Sequence, residues 1–250
     1  MAEPSGTSPD RNASPGDGSG GRVPPRGPAG TEDGTSTSAG SAAPTQPTGK
    51  AGWRARLGAA RRAVPAGVRA TEAEALARAA VAAASTFPHG PVCCYLPLPS
   101  EPGSPAMLDA LRAAGRQVLL PVVPPDRYAG EGPSALYWAP YLGTHALVDG
   151  PMGLRQPAEA WRGPAAVAEA ALVLVPALAV DRRGVRLGRG AGWYDRTLPL
   201  ARRGTPLVAV VRDEEVVEAL PTEPHDVRMT HVLTPGHGWR AIRASPALLD

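Results

Sequence analysis

The chain has 250 residues, 43% of them apolar, and a formal net charge of +3, which leaves room for one or two domains. The charge is small for this length and the arginines are interspersed with about as many carboxylates, so a broad nucleic-acid surface is not implied. No apolar run approaches the ~20 residues of a membrane-spanning helix, and the two adjacent cysteines, Cys93 and Cys94, point to opposite faces of a strand, with no second pair to make a zinc site.

In chain order, residues 1–48 are rich in Gly, Ser, Thr, Pro and Ala, with no aromatic residue and no periodic apolar face. They read as a disordered low-complexity tail ahead of a domain over 49–250. The tail has no apolar segment after a basic start and it carries Glu3, Asp10, Asp17, Glu32 and Asp33, so neither a secretory signal nor an organellar presequence is expected, and the location expected is cytoplasmic. A helix should run from Lys50 to about Val64, stopped by Pro65. Trp53, Leu57, Ala60 and Val64 make its apolar stripe, with Lys50, Arg54 and Arg61 along the edge. Thr71 with Glu74 three residues on has the spacing of a capping box, which predicts a second helix over 71–85.

Val92 to Leu96 reads as a strand, 99–102 as a loop, and Ser104-Pro105 as the start of a helix ending near Gly115. Further strands are expected over 118–123, 172–175, 207–211 and 231–234, and helices over 164–171, 194–203 and 214–220. Apolar strands alternating with helices imply an α/β fold, a mostly parallel sheet covered on both faces, with ligands at the carboxyl ends of the strands.

The most informative run is Arg186-Leu187-Gly188-Arg189-Gly190-Ala191-Gly192-Trp193-Tyr194-Asp195-Arg196. Alternate glycines between arginines let the backbone N–H groups approach an anion, and the helix expected from Tyr194 would add its N-terminal donors. The run is neither a Walker loop nor a dinucleotide fingerprint. Lys50, the only lysine among 26 Lys and Arg residues, fits a need for a compact, mobile cation.

Leu174 to Asp181, Gly184 to Gly188 and Tyr194-Asp195-Arg196 together resemble the signature of the 5-formyltetrahydrofolate cyclo-ligase family. Lys50 with Arg54, Tyr95 through Glu101, Met152 to Pro157, and Leu220-Pro221 through His225-Asp226 fit in the same order, so the likeness covers 50 to about 235. The resemblance implies a single Rossmann-like three-layer domain that uses ATP and Mg2+ to convert 5-formyltetrahydrofolate to 5,10-methenyltetrahydrofolate. It implies small-molecule partners and a monomer, with no nucleic acid or membrane. By the same likeness Lys50 and Arg54 hold ATP phosphates, and the loop of Arg186, Gly188, Arg189, Gly190, Ala191, Gly192, Trp193 and Tyr194 wraps them. Arg189 and Lys50 are the catalytic cations, and Asp195 and then Asp226 the metal ligands. Glu101 meets the pterin, and Tyr95, Leu98, Met107, Trp138 and Trp193 supply surface for its ring. The alternative is a family-like nucleotide- and folate-binding module without catalysis. Two departures stand out. In the loop, Ala191 stands where glycine is common and Trp193 where tyrosine is, and the loop path is expected to differ because a Cβ tolerates φ > 0 poorly; after Glu101, Pro102-Gly103-Ser104 replaces a Val-Asp-Thr type of continuation, so details of the folate pocket are expected to differ.

Overall fold

In the computed structural model, which describes residues 47–123 and 134–242, the chain enters helix α1 at Gly49 and leaves it at Ala63. Nearly all of the expected tail lies outside the described residues. Ala and Arg are strong helix formers, and Val64 before Pro65 takes extended geometry, as the proline demands. The buried stripe of α1 is Trp53, Leu57 and Arg61. Ala60 is exposed, a correction to the expected stripe: a guanidinium goes inside because a carboxylate waits for it there.

Helix α2 (Ala66–Thr86) starts directly after Pro65, five residues before the expected capping box. Pro65 supplies the turn into the helix, so Thr71 is already in its interior and its hydroxyl bonds back to the Gly67 carbonyl at 3.2 Å. Alanines at 73, 77, 80, 83 and 84 form the buried face of α2 with Leu76. Such small side chains let α2 lie close against helix α3 (Pro105–Ala113) and the sheet. Ser104 occupies the N-cap position of α3 without a side-chain cap bond.

The main sheet has seven strands: β1 (Val92–Cys93), β2 (Val118–Val122), β3 (Tyr137–Pro140), β6 (Leu172–Pro176), β9 (Leu207–Val210), β11 (His231–Thr234) and β12 (Gly238–Ala241). Their order is β12-β11-β9-β6-β1-β2-β3. β1, β2, β6, β9 and β11 run parallel, and β3 and β12 close the edges antiparallel. Successive residues face opposite sides, as the pleat requires. Cys94, Leu120 and Leu174 pack under α2 and α3, while Cys93, Leu119 and Val173 pack on the other side. Burial pushes the Cys94 thiol up to about 12 and raises Cys93 as well, so both stay as neutral apolar packing.

On that other side the cover is lighter than expected. The segment 164–171 is a 3-10 turn over Pro164–Glu169. Helix α4 spans only Trp193–Thr197, followed by a 3-10 turn at Leu198–Leu200, because Pro199 has no N–H to continue the ladder. The expected helix over 214–220 is also corrected. A 3-10 turn at Asp213–Glu215 leads into strand β10 (Val216–Val217), which pairs parallel with β7 (Ala179–Asp181). β7 pairs antiparallel with β8 (Arg186–Leu187), giving a separate three-stranded sheet on which α1 docks through Trp53 and Leu57. A two-stranded hairpin, β4 (Leu147–Asp149) with β5 (Arg155–Pro157), forms its own ladder and is tied to the end of β2 through the Gln156 side chain, which accepts the Val123 N–H.

The β7–β8 turn depends on two residues. Gly184 has φ +83°, and a Cβ there would lie 2.3 Å from the Met229 carbonyl oxygen. The buried Asp181 carboxylate accepts N–H bonds from Arg183 (2.8 Å), Val185 (2.9 Å) and Leu220 (3.1 Å). It fastens the start of the glycine loop to the 220s segment.

Candidate active site

The chain passes from β1 to β2 on one side, while β6 lies on the other side of β1. Connections therefore diverge above β1, and a crevice opens at the carboxyl ends of the strands, as the topology of such sheets dictates. A cleft of about 420 Å3 occupies this place. Its floor includes Tyr95 and Leu96 after β1, Val123 after β2, and Ala177 and Leu178 after β6. The glycine loop after β8 forms one wall, and the start of α1 with 223–226 closes one end.

Docking of α1 on the small sheet carries Arg54 to the glycine loop. Its Nε donates to the Gly188 carbonyl at 3.0 Å, and its guanidinium carbon would lie 3.4 Å from a Cβ at Gly190. Gly190 (φ +107°) and Gly192 (φ +72°) carry the left-handed conformations. Ala191 does not take a positive φ; the left-handed turns fall on its glycine neighbours.

Lys50, in the first turn of α1, donates to Glu223 Oε2 and to both oxygens of Asp226, each at 2.9 Å. Asp226 also accepts the Glu223 N–H at 2.7 Å. Burial alone would raise the Asp226 carboxyl, but the Lys50 and Glu223 hydrogen bonds and the Lys50 charge hold it below the usual carboxylate range. Burial would likewise lower the Lys50 ammonium, and its two acidic partners raise it instead.

Arg186 is buried, and its Nη2 donates to Asp195 Oδ1 at 2.7 Å. Its guanidinium lies 5.6 Å from the centre of the Tyr194 ring. Arg186 Nη1, Trp193 Nε1 and the Tyr194 hydroxyl are buried with no hydrogen-bond partner among the described residues. Buried donors in this state are costly, and all three residues line the cleft, where a ligand's oxygens would satisfy them. Burial drives the Tyr194 phenol far above its ordinary range, with nearby Cys94 and Glu101 adding to the shift, so this group is a donor.

Across from the loop, Glu101 is nearly enclosed. Its Oε2 accepts the Leu98 N–H at 3.0 Å and its Oε1 pairs with Arg189 Nε at 3.2 Å. Arg189 also donates to Ser100 Oγ at 3.2 Å. The Tyr95 hydroxyl donates to the Pro102 carbonyl at 2.6 Å, which pins the 99–103 loop.

The 5-formyltetrahydrofolate cyclo-ligase family model matches residues 46–235, which spans the cleft and every element that builds it. The chain belongs to the 5-formyltetrahydrofolate cyclo-ligase family. The 5-formyltetrahydrofolate cyclo-ligase of Mycolicibacterium smegmatis is 48% identical over 198 residues, covering 79% of this chain and 99% of that protein. The Escherichia coli cyclo-ligase is 31% identical over 149 residues, covering 59% and 79%. The 5,10-methenyltetrahydrofolate synthetase of Aquifex aeolicus shares the fold, with a TM-score of 0.60 at 22% identity over 80% of this chain and 96% of its own.

This cyclo-ligase cleft brings together Lys50, Arg54, Tyr95, Leu98, Glu101, the loop from Arg186 to Tyr194, Asp195 and Asp226. It does not include Met107 and Trp138. Met107 is fully buried in the core under α2 and α3, with its tip against Gly103. Trp138 is fully buried on the opposite face of the sheet, beside Leu119 and Val167. Both are core residues, since α3 and β3 turn these side chains away from the strand ends.

Several cleft residues went unassigned in the sequence. Met152 lines the mouth, half exposed, with φ +58°; it stood in a matching segment, but nothing local marked the strained turn. Gln156 lies behind it, its side-chain amide accepting the Val123 N–H at 3.0 Å. Arg61 holds Glu215 through Nε at 2.6 Å and Nη2 at 2.7 Å and donates to the Ala177 carbonyl at 2.5 Å. No spacing rule links residues 154 positions apart.

No helix among the described residues is long and apolar enough to cross a membrane.

Proposed function

We propose that the cleft binds ATP and 5-formyltetrahydrofolate side by side and releases 5,10-methenyltetrahydrofolate, ADP and phosphate. The observation that carries this is the division of the cleft. Lys50, Arg54 and Arg186 line the cleft with the glycine loop, while the enclosed Glu101 carboxylate lies beside Leu98 and is reached by Arg189 from the loop. One side suits a polyphosphate, and the other suits a ring with N–H donors.

A formamide oxygen is a poor leaving group. Transfer of the γ-phosphoryl group to the formyl oxygen turns it into phosphate; the second folate nitrogen then attacks the formyl carbon, loses its proton, and phosphate departs with the oxygen. Such transfers are catalysed by positioning and by neutralising charge on the non-bridging oxygens. In this reading the loop N–H groups, Arg54 and Lys50 hold the phosphates, with little help from α4, which is too short to carry much of a dipole. Arg189 swings from Glu101 to the transferring group, and Glu101 is released to the pterin amino and ring N–H groups. Tyr95, Leu98 and Trp193 border the ring.

For Mg2+, Asp195 fits: Arg186 takes only its Oδ1, and a hard cation shared with phosphates needs one or two carboxylates. Both oxygens of Asp226 are on Lys50 in this state, so Asp226 joins the ion only by giving up that ammonium. Bound there, the ion supplies further charge neutralisation on the phosphates.

The direct test is to incubate the protein with 5-formyltetrahydrofolate, ATP and Mg2+ and follow the conjugated methenyl product by its absorbance; absence of product, or product without ATP, sinks the proposal. Asp195→Asn is expected to raise the Mg2+ concentration for half-maximal rate several-fold, since an amide lacks the charge to hold the cation. An unchanged metal titration would reassign Asp195 to anchoring Arg186 alone. Glu101→Gln should raise KM for the folate about ten- to a hundredfold, the loss of one charge-assisted hydrogen bond, with KM for ATP nearly constant. An equal rise in both would mean damage to the 99–103 loop instead.

A further inference from the structure

The turn of the β4–β5 hairpin carries a residue that the hairpin itself does not require. Met152 has φ +58° and ψ +27°, a left-handed conformation that is unfavourable for any residue with a Cβ. Among the described residues one other non-glycine takes a positive φ, Ala160, and it does not line the cleft. Met152 does: it stands at the mouth with 54% of its surface exposed, so neither backbone preference nor burial holds an apolar thioether there.

The base of the hairpin is fixed, and its tip has room. At the base, the Gln156 side chain accepts the Val123 N–H at 3.0 Å and donates to the Val123 carbonyl at 3.4 Å. Arg155 Nη2 donates to the Thr144 and Leu147 carbonyls, each at 3.1 Å. At the tip, Gly150 and Gly153 flank Pro151 and Met152, and a Cβ at Gly153 would meet nothing within 4 Å. The Gly150 N–H closes the turn on the Leu154 carbonyl at 2.6 Å, and Leu154 lines the cleft as well. An unbranched thioether adapts to irregular surfaces, which suits a cover that has to fit over bound ligands.

We infer that Met152 is a water-excluding residue of the reaction: with both substrates bound, the hairpin tip lays this side chain over the cleft mouth and keeps water from the phosphorylated formyl group. The inference rests on the ATP and folate reading above. The formyl carbon then carries phosphate, a good leaving group, and water competes there with the second folate nitrogen; exclusion of water is how closed sites suppress such hydrolysis. In the side reaction the water oxygen bonds to the formyl carbon, the bond from that carbon to the phosphate oxygen breaks, and phosphate leaves with the electron pair. The two water protons go to phosphate and solvent. 5-Formyltetrahydrofolate is regenerated, and one ATP has become ADP and phosphate without product.

The test compares initial rates of ADP release and of methenyl absorbance for the parent, Met152→Gly, Met152→Asn and Met152→Leu, in heavy-oxygen water. The parent should release about one ADP per methenyl product, and Met152→Gly about threefold more or beyond. Its melting temperature should match or exceed the parent's, because glycine takes this backbone conformation without strain. Met152→Asn, which tolerates the same angles but brings no apolar cover, should uncouple likewise. Met152→Leu keeps the apolar volume and should bring the ratio back to within about twofold of the parent's. The excess phosphate should stay unlabelled, since its fourth oxygen comes from the formyl group. A residue that served only the fold would lower the melting temperature and leave the ratio near one. A ratio near one in the glycine and asparagine variants, uncoupling by leucine as large as by glycine, or labelled phosphate overturns this role, while coupled turnover by the parent upholds the main proposal. A parent that makes no methenyl product overturns both.

Discussion

Arg61→Ala should destabilise the fold by about 3–5 kcal/mol, the cost of leaving a buried carboxylate without its partner. Arg61 and Glu215 both have side chains only 3% exposed. Glu215 Oε2 accepts the Arg212 N–H at 2.8 Å besides its Arg61 bond, so the stranded charge cannot turn out to solvent without unmaking the turn at the end of β9. For a domain of this size the melting temperature should fall on the order of 10 °C. Because Arg61 also donates to the Ala177 carbonyl at the cleft floor, nucleotide affinity should fall with stability. The control is Arg61→Met with Glu215→Leu, which removes both charges and should recover much of the stability, as apolar replacement of a buried pair commonly does. Chemical denaturation of the three proteins checks this; a single variant that melts with the parent would mean that water reaches Glu215.

Lys50→Ala should lower ATP-dependent efficiency about ten- to a hundredfold, corresponding to a charge-assisted contact of roughly 1.5–3 kcal/mol. The structure sharpens what Lys50→Arg should do. A guanidinium can keep Asp226 and Glu223 paired, so the melting temperature should match that of the parent. It cannot place one compact ammonium among phosphate oxygens without shifting, so catalytic efficiency should be only partly restored. Steady-state kinetics beside thermal melts separate the two roles. An arginine variant as active as the parent would make Lys50 a structural clamp between α1 and the 223–226 turn.

Much of the site was legible because its chemistry is written in local residues. The glycine run fixes where the backbone can take positive φ, and the structure places those angles at Gly190 and Gly192. The solitary Lys50 and the alternating apolar strands were equally plain, and Pro65 set the end of α1 to within a residue. Local signals misled where two of them competed. Thr71 and Glu74 have the right spacing for a cap, but Pro65 had already started α2. Pro199, visible in the sequence, cut α4 short against a favourable apolar pattern.

What the sequence by itself determined is the set of short-range constraints: strand period, helix stops, the glycine-rich loop and the cationic and acidic residue types beside it. The tertiary structure alone decided which side chains reach the cleft. Met107 and Trp138 are apolar residues near the right segments, yet α3 and β3 turn them into the core on opposite faces of the sheet. Arg61 is a helix-edge arginine like Arg54, yet it goes inside because Glu215 meets it from far along the chain. The physical reason is common to both. Burial and ion pairing depend on which elements are packed together, and that is a property of the sheet order rather than of neighbours in sequence.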